Sequence, residues 1–177
     1  MTRALKNNLA TAYSEGGRLD PDNIDPGIQA DLAGSYFRLL SPILSAASDK
    51  SMTDHPIGPG LGKISTLQAV VHNPGISQME LSEMFGRDRS IQFRIVVDLE
   101  KRGMIRREVD PQDTRRHALY ATDLGASLMP ELDQLVRVND RIAFATLSEP
   151  EYETLKALMR RVFLSHIGVG ASYWGKS

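Results

Sequence analysis

The fold of this chain is decided between residues 75 and 121, which read GISQMELSEMFGRDRSIQFRIVVDLEKRGMIRREVDPQDTRRHALYA. Near the start of this stretch, Ser77 and Glu80 have the spacing of a capping box, in which the serine hydroxyl accepts from the Glu80 amide and the Glu80 carboxylate reaches back to Ser77. The box predicts a helix that begins after Ser77 and ends at Gly86, after little more than two turns.

A longer helix follows directly. It is predicted over 88–102, and Gly103 is suited to the left-handed position that ends a helix. A short helix, a tight turn and a longer helix together indicate a helix-turn-helix. Residues 104–109 and 117–121 are typical of two strands joined by a turn. The strand pair predicts a wing, so that one helix faces a DNA major groove and the hairpin tip faces the adjacent backbone or minor groove.

The composition is that of a globular chain. It has 177 residues, a hydrophobic fraction of 41% and a net charge of −1, which favour one folded domain with appendages over disorder. The lack of cysteine excludes a disulfide scaffold, a thiolate zinc site and a cysteine nucleophile. Apolar runs fall far short of the ~20 residues that a membrane span needs, and the start of the chain has no apolar block typical of a signal peptide. We therefore expect a cytoplasmic protein without membrane contact.

Long helices are predicted on both sides of the deciding stretch. Before it, apolar residues recur at spacings of three and four over 28–47, and a further helix is predicted over 63–72. After it, Thr122 is a candidate cap for a long helix over 124–142, and residues 148–151 form a second capping box that opens a last helix. These helices have more apolar surface than a small winged domain covers, so a partner chain is expected to cover it. The alternative is that they pack only on their own module.

The predicted fold is mainly α-helical with a small β-hairpin wing: a winged helix-turn-helix domain with long N- and C-terminal dimerisation helices. Five segments are expected along the chain: a flexible arm at 1–27, a dimerisation helix at 28–47, the winged helix-turn-helix domain at 61–121, dimerisation helices at 122–167 and a tail at 168–177. No function is assigned to the arm or the tail.

No pattern of catalytic or metal-binding residues supports an enzyme. The histidines lack the spacing of a zinc ligand set, and no serine lies in a nucleophile elbow. The glycine-rich run at 58–63 suggests a phosphate loop, but Ile57 and Ile64 stand where that motif requires a glycine and a hydroxylated residue. We therefore interpret this run as a hinge, and we predict no catalytic residue, no metal and no cofactor.

Four motifs follow one another along the chain. They lie at 75–82, at 86–90 together with 98–107, at 110–116 and at 122–125. In this order and spacing they resemble the entry to the helix-turn-helix, the recognition helix with its following strand, the wing and the step into the dimerisation helix of the MarR family of bacterial transcriptional regulators. Each motif alone is weakly specific, whereas the four together are strongly specific. The resemblance extends over 28–163.

The resemblance implies a homodimer that binds double-stranded DNA at a pseudo-palindromic operator, and a small effector, commonly an aromatic or phenolic acid, that loosens the complex. We expect a repressor whose half-sites lie one helical turn, ~34 Å, apart. Residues 87–90 and 115–120 are similar to those of members that regulate the breakdown of plant-derived aromatic acids, which indicates an aromatic acid or its CoA thioester. The alternative function is a winged-helix protein-interaction module without sequence-specific DNA binding.

The charge distribution supports DNA binding independently. Residues 86–116 carry nine basic and six acidic side chains, whereas the rest of the chain carries 12 and 16. Phosphate neutralisation supplies much of DNA affinity, so basic residues are expected on the recognition helix and wing. Arg89 and Arg94 are candidates for bidentate contacts with guanine, and Ser90 for a phosphate or a base edge.

Two departures from the family pattern leave the details of base readout open. Ile91, Gln92 and Phe93 stand where the family often has a small hydroxylated residue and an apolar one, and Val97-Asp98 replaces an acidic residue followed by a basic one. Gln92 either reads adenine or faces the neighbouring helix. Of Ile91 and Phe93, one is expected in the core and the other at a thymine methyl group.

Further DNA contacts are predicted around the wing. Arg115 matches the wing-tip arginine of the family, and Asp113 matches the acidic residue that braces it. A guanidinium in a narrow minor groove meets the enhanced negative potential of A·T-rich DNA; the alternative is a solvated charge in a turn. Arg116 and Arg87 are predicted phosphate contacts, and the two arginines at 106–107 have strand pairing as an alternative.

The effector is expected in the crevice between the dimerisation helices and the winged domain, where it changes the separation of the two recognition helices. Candidate contacts are Tyr36 for stacking, Arg38 for a carboxylate and His72 for a phenol. The alternative for each is structural: a core tyrosine, a surface arginine and an exposed histidine.

Overall fold

The computed structural model describes residues 27–41, 52–60, 62–109 and 117–167. In chain order these residues form the 3-10 turn Gly27–Asp31, α1 (33–41), α2 (Lys63–His72), β1 (Ile76–Ser77), α3 (Gln78–Phe85), α4 (Arg89–Lys101), β2 (Ile105–Val109), β3 (His117–Ala121), α5 (Asp123–Ser127), α6 (Met129–Ala143) and α7 (Glu149–Ile167). A mainly helical chain with one small antiparallel sheet confirms the predicted fold class. Within the described ranges, every helix is too short or too polar to cross a membrane.

The helix-turn-helix forms as predicted because its own side chains cap both helices. Ser77 Oγ accepts from the Glu80 amide at 3.2 Å, and the Ser77 amide donates to Glu80 Oε2 at 2.7 Å. Gly86 ends α3 in the left-handed conformation. Two residues later Asp88 caps the start of α4, its carboxylate accepting from the Ser90 amide at 2.7 Å. The turn between the helices is therefore short and held at each end.

The predicted hairpin is present as β2 and β3, which pair antiparallel from Ile105 opposite Ala121 to Val109 opposite His117. A third strand, β1, pairs with the other side of β3, so the strand order is β1-β3-β2. The sequence did not predict β1, because two residues are too few to show an alternating pattern. The turn of the hairpin, residues 110–116, lies outside the described residues.

The chain divides into two units, Met1–Asp133 and Gln134–Ser177. In the first unit, the core lies where α2, α4 and the sheet pack together. Its fully buried side chains include Leu67, Val70, Leu81, Val96, Leu99 and Leu119. Burying one large apolar side chain stabilises a fold by about 1.5–3 kcal/mol. As predicted, α4 turns residues 95, 96 and 99 into this core.

The first predicted helix, over 28–47, begins later than expected. Residues 27–31 form a separate 3-10 turn and the α-helix starts at 33, while 42–47 lie outside the described residues. Side-chain hydrogen bonds hold the turn against the helix: Ser35 Oγ donates to Gln29 Oε1 at 2.6 Å, and the Tyr36 hydroxyl donates to Ala30 O at 2.7 Å. These bonds fix the turn against the first residues of α1, so the turn does not continue the hydrogen-bonding pattern of the α-helix.

The single long helix predicted over 124–142 is also wrong, because the chain forms α5 and α6 with a break at Leu128. Pro130 is the physical reason. It has no N–H to donate to the carbonyl four residues earlier, and its ring clashes with that carbonyl. Proline is tolerated in the first turn of a helix, and it lies there in α6. The predicted cap is confirmed, since Thr122 Oγ1 accepts from the Gly125 amide at 3.1 Å.

In the second unit, Tyr152 fixes the start of α7 against the end of α6. Its hydroxyl donates to Asp140 Oδ2, and the guanidinium of Arg141 lies 4.2 Å from its ring centroid. The Glu151 carboxylate accepts from the Ser148 amide at 2.8 Å, which confirms the carboxylate half of the second capping box. The hairpin of α6 and α7 is therefore held by polar contacts at its bend.

Gly125 lets α5 lie against the chain that leads into β2. A Cβ atom at this position would collide with the backbone carbonyl of Met104 and would lie 3.2 Å from Leu67 Cδ1. Because a backbone carbonyl in a packed region cannot move away cheaply, we expect Gly125→Ala to lower the free energy of unfolding by about 2–3 kcal/mol. Urea unfolding followed by circular dichroism measures this change.

Gly34→Ala is the matched control for this substitution. It also adds one methyl group to a helix, but the new Cβ would have only Arg38 Nη1 nearby, at 3.9 Å. Its stability should be unchanged or slightly higher, because alanine is the better helix former. Equal losses in the two variants would contradict the close approach at Gly125.

Candidate nucleic-acid interface

The outer face of α4 presents the predicted DNA contacts. Gln92, Ile95, Val96 and Leu99 face inwards; the helical period of 3.6 residues then places Ser90, Arg94 and Lys101 on the opposite side. All three are exposed, and so is Arg89 beside them. The structure thus brings together the predicted residues Arg89, Ser90 and Arg94 on the exposed N-terminal half of α4.

The N-terminus of α4 carries a fixed negative charge next to these residues. Hydrogen bonds from the Ser90 hydroxyl, the Ser90 amide and the Ile91 amide lower the pKa of Asp88. The Ser90 hydroxyl donates its proton to this carboxylate, so in this arrangement it presents lone pairs outwards rather than a donor. Such a group accepts from the amino group of a base more readily than it donates to a phosphate.

Gln92 does not read DNA in this structure, which corrects the first of its two predicted roles. The residue is fully buried. Its Nε2 donates to Thr66 Oγ1 at 3.1 Å, and its Oε1 accepts from Arg87 Nη1 at 3.2 Å. Both ends of the amide are therefore used inside the protein, and the alternative, that Gln92 faces the neighbouring helix, is the observed one.

Arg87 also points into the protein rather than towards a phosphate. Its Nη1 donates to Thr66 Oγ1 at 3.2 Å, its Nη2 donates to Ser65 Oγ at 2.9 Å, and its guanidinium lies 4.3 Å from the ring centroid of Phe85. Partial burial lowers its pKa from the usual value. The sequence suggested a phosphate contact because the residue adjoins the recognition helix, but the turn after Gly86 directs the side chain back over α2.

Ile91 and Phe93 are both exposed, at 45% and 48%, so the expectation that one of them packs in the core is wrong. They lie on opposite edges of the outer face of α4, because residues two apart on a helix point about 200° apart. On the β2 side, Arg107 lies 5.9 Å from the Phe93 ring centroid and pairs with Glu100 at 3.3 Å. Arg107 therefore covers the flank of α4.

The strand-pairing alternative holds for the other arginine of β2. Arg106 lies opposite Tyr120 across the sheet, and its guanidinium is 4.8 Å from the tyrosine ring centroid. It also forms an ion pair with Glu108. The predicted wing residues Asp113, Arg115 and Arg116 lie outside the described residues, although the paired strands define the base of their hairpin.

In the described part of the chain, the three predicted effector contacts bond within their own segment or lie exposed. Tyr36 is 53% exposed and bonds to Ala30, which rules out the core-tyrosine alternative without supplying a binding cavity. Arg38 donates to Gln29 and Ser35 in its own segment. His72 is exposed at the end of α2. Arg38 and His72 therefore match their structural alternatives, a surface arginine and an exposed histidine.

A cluster of charges that the sequence did not reveal lies at the C-terminal half of α4. Asp98 accepts from Lys63 Nζ at 2.6 Å and from Arg102 Nε at 2.9 Å, and Arg102 Nη1 donates to Pro56 O at 2.9 Å. Burial alone would raise the pKa of Asp98, but the hydrogen bonds from Lys63 and Arg102 outweigh it and lower the pKa. The i, i+4 spacing of Asp98 and Arg102 is visible in the sequence, whereas nothing there connects Lys63 to them.

Known proteins share this architecture. The MarR family profile matches residues 58–116. Over 111 residues, which make up 63% of this chain and 66% of the relative, the chain is 35% identical to a Thauera aromatica protein described as a transcriptional regulatory protein for the hcr operon. Over 101 residues, 57% of this chain and 67% of the relative, it is 32% identical to the helix-turn-helix transcriptional regulator YybA of Bacillus subtilis (strain 168).

The chain belongs to the MarR family. A solved structure of the PcaV transcriptional regulator from Streptomyces coelicolor, in complex with its natural ligand, superposes with a TM-score of 0.65 at 27% identity and covers 78% of this chain and 96% of that chain. The relatives are named as transcriptional regulators and not as enzymes. This MarR-family chain is accordingly a transcriptional regulator with a winged-helix DNA-binding module.

The lowered pKa of Asp98 predicts a pH-dependent contribution to stability in this MarR-family fold. A carboxylate whose pKa is lowered by folding stabilises the protein above the usual pKa of 3.8, and this stabilisation is lost as the pH falls through the lowered value. We expect Asp98→Asn to lower the free energy of unfolding at about pH 7 by less than about 1 kcal/mol, because the pair is partly exposed. The difference from wild type should shrink towards about pH 3.

The exposed Asp54 provides the control. Asp54→Asn removes a carboxylate near the same loop, and its urea midpoint should follow the wild type at every pH. An Asp98→Asn difference that stays constant on acidification would contradict an ion-paired Asp98.

Proposed function

We propose that this chain acts as a homodimeric, ligand-responsive repressor that binds a pseudo-palindromic operator and is released by a small aromatic acid or its CoA thioester. One observation carries the proposal: α4 is capped at its start, Arg89, Ser90 and Arg94 are exposed on its N-terminal half, and it lies next to a β-hairpin. A regulator of this kind acts in the cytoplasm, where bacterial DNA lies.

The proposed DNA contacts follow from the positions of the side chains. Arg94 lies on the outermost line of α4, where a guanidinium donates to guanine O6 and N7, and Ser90 lies one turn before it. Arg89 is at the first residue of α4, closest to the backbone of the duplex. Arg115 and Arg116 extend the basic surface to the wing, with Asp113 bracing Arg115. The exposed Ile91 and Phe93 supply apolar contact with thymine methyl groups at the edges of this face.

Dimerisation is supported by apolar side chains that each unit leaves in water. In the first unit the exposed ones include Ile28, Leu32, Phe37, Leu39 and Leu40; in the second they include Val136, Val138, Leu158 and Val162. Contiguous exposed apolar residues on helices mark association surfaces. A second copy of the chain is the partner that a two-fold symmetric operator requires, because dimer symmetry mirrors operator symmetry. The segments 28–47 and 122–167 are therefore proposed as the dimerisation helices around the winged domain at 61–121.

A response to a ligand is supported by one relative, because PcaV, a regulator with this fold, was solved in complex with its natural ligand. Tyr36 and Arg38 lie on the exposed helix α1, where a ring and a carboxylate have matching partners for stacking and charge pairing. Binding would release DNA only if the effector binds the free dimer more tightly than the DNA-bound dimer.

The function is tested by selecting DNA from a randomised duplex library with the purified chain. We expect enrichment of an inverted repeat with half-sites one helical turn apart, bound more weakly as salt increases. Benzoate-, cinnamate- and hydroxybenzoate-type acids and their CoA thioesters are then added to the complex, and one class should release the duplex. Salt-independent or absent DNA binding would favour the protein-interaction module instead. A selected site without symmetry would contradict the homodimer.

The wing provides a separate prediction. Arg115→Ala should weaken binding to the selected duplex by about 1–3 kcal/mol, because a guanidinium in the minor groove is lost, and should leave the dimer intact. Gel shift gives the affinity and sedimentation gives the mass. Arg137→Ala, which removes an exposed arginine from α6, is the control and should bind as the wild type does. Unchanged affinity of Arg115→Ala at moderate salt would remove the wing from the mechanism.

A further inference from the structure

The glycine-rich run before α2 supports three basic side chains: Arg87 and Arg102, which flank the recognition helix, and Lys63, which begins α2. Gly58, Gly60 and Gly62 all have positive φ angles. A Cβ atom at Gly58 would lie 2.7 Å from Arg102 Nη2, and one at Gly62 would lie 2.7 Å from Arg87 Cζ. A Cβ atom at Gly60 would lie 2.6 Å from Cε of Lys63. The missing side chains therefore make the space in which three cations lie.

The loop of this run, together with the two residues before it, supplies backbone acceptors for those cations. Arg87 Nη1 donates to Gly62 O at 3.5 Å, Lys63 Nζ donates to Ile57 O at 3.4 Å, and Arg102 Nη1 donates to Pro56 O at 2.9 Å. Arg87 lies two residues before α4, and Arg102 immediately follows it. One loop thus binds both ends of the helix that faces DNA.

At the N-terminal end of α4, the contacts form a closed polar network. Gln92, on the inner face of α4, bonds to Thr66 in the middle of α2 and to Arg87 in the turn. Arg87 also bonds to Thr66 and, through its other terminal nitrogen, to Ser65. Thr66 and Gln92 are fully buried, so water cannot replace a lost partner. The network fixes the distance between α2 and the N-terminal half of α4.

We propose that Arg87 and Gln92 are positioning residues for operator recognition, which hold the N-terminal half of α4 at the height over α2 that base readout requires and do not themselves contact DNA. The proposal rests on the proposed DNA-binding function. Hydrogen bonds to base edges need donor–acceptor distances of about 2.7–3.2 Å, so a small shift of Arg94 breaks them. Phosphate contacts by long basic side chains tolerate the same shift, because the side chains can follow the backbone of the duplex.

The shape of the Arg87 side chain separates positioning from a phosphate contact. Its two terminal nitrogens reach different acceptors, Thr66 and Ser65, which a single lysine ammonium cannot do at once. A phosphate contact, by contrast, depends mainly on charge and is largely kept by lysine. Arg87→Lys therefore removes the network but keeps the charge, and Arg87→Met removes both.

The test measures binding of these variants and of Gln92→Leu to the duplex selected by the wild type and to a random duplex, over a range of salt. We expect each variant to bind the selected duplex about tenfold more weakly. Affinity for the random duplex and the slope of log affinity against log salt should stay at wild-type values. Arg89 is the matched control, because it is proposed to lie at the backbone of the duplex: Arg89→Met should lower the salt slope by about one, and Arg89→Lys should keep it.

Other results overturn the proposal. Wild-type affinity in Arg87→Lys, together with a reduced salt slope in Arg87→Met, would show a phosphate contact. Equal weakening on selected and random DNA would show a general loss of folded protein, which circular dichroism and thermal unfolding monitor. Wild-type behaviour in all variants would show that the network does not position α4. If the wild type itself enriches no duplex, the proposed function fails, and the positioning role falls with it.

A further variant perturbs the network from the loop, so the proposal can still be tested if Gln92→Leu does not fold. Gly62→Ala places a methyl group against the Arg87 guanidinium, and Gly103→Ala introduces the same kind of positive-φ strain, at φ 70, with nothing within 4 Å of the new Cβ. Gly62→Ala should lose specific binding more than Gly103→Ala does at matched thermal stability. Equal specific binding by the two variants would overturn the proposal.

Discussion

Burial of one face of α4 determines the geometry of the whole recognition surface. Ile95, Val96 and Leu99 pack against α2 and the sheet, and exposing one such side chain costs about 1.5–3 kcal/mol. The helix therefore cannot rotate, and its period of 3.6 residues forces Arg94 and Ser90 into solvent. The orientation of the residues proposed to face DNA is a consequence of packing on the opposite face and not of any property of their own.

Gln92 introduces a polar requirement into that buried face. A buried amide is costly unless both of its ends are hydrogen-bonded, and here the partners come from α2 and from the turn before α4. The requirement therefore joins three segments that apolar packing alone would leave free to slide. At the other end of α4, the Asp98 carboxylate also needs partners, and it pairs with Lys63 and Arg102. Both cations bond in turn to the loop before α2.

The chain separates its surfaces by chemistry. The chain is nearly neutral in total, but residues 86–116 carry a net positive charge. Within this segment Arg89 and Arg94 face solvent, whereas Arg87 and Arg107 cover neighbouring side chains. Only some of the basic residues near the recognition helix therefore contribute to a field that DNA can reach. Exposed apolar residues also lie on α1, α6 and α7, and these are the ones proposed for association of chains, whereas the exposed Ile91 and Phe93 lie beside Arg94 on α4.

Local chemistry in the sequence was sufficient for most of the elements. The capping box at Ser77 and Glu80, the cap at Thr122 and the strand pair after Gly103 each act over a few residues, and each forms as predicted. The break at Leu128 has an equally local cause in Pro130, which the apolar spacing of the surrounding leucines obscured. The two-residue strand β1 is too short to leave any periodic signal.

The fate of the polar and charged side chains was decided only by the tertiary structure. The sequence alone does not distinguish an arginine or glutamine that binds DNA from one that bonds within the protein. Gln92 and Arg87 turn inwards because α2 places the Thr66 and Ser65 hydroxyls within reach. The sequence by itself determined where α3, α4 and α5 begin, since their capping signals act between near neighbours. Which basic groups remain available to a duplex depends on residues more than twenty positions away, and only the folded chain brings those together.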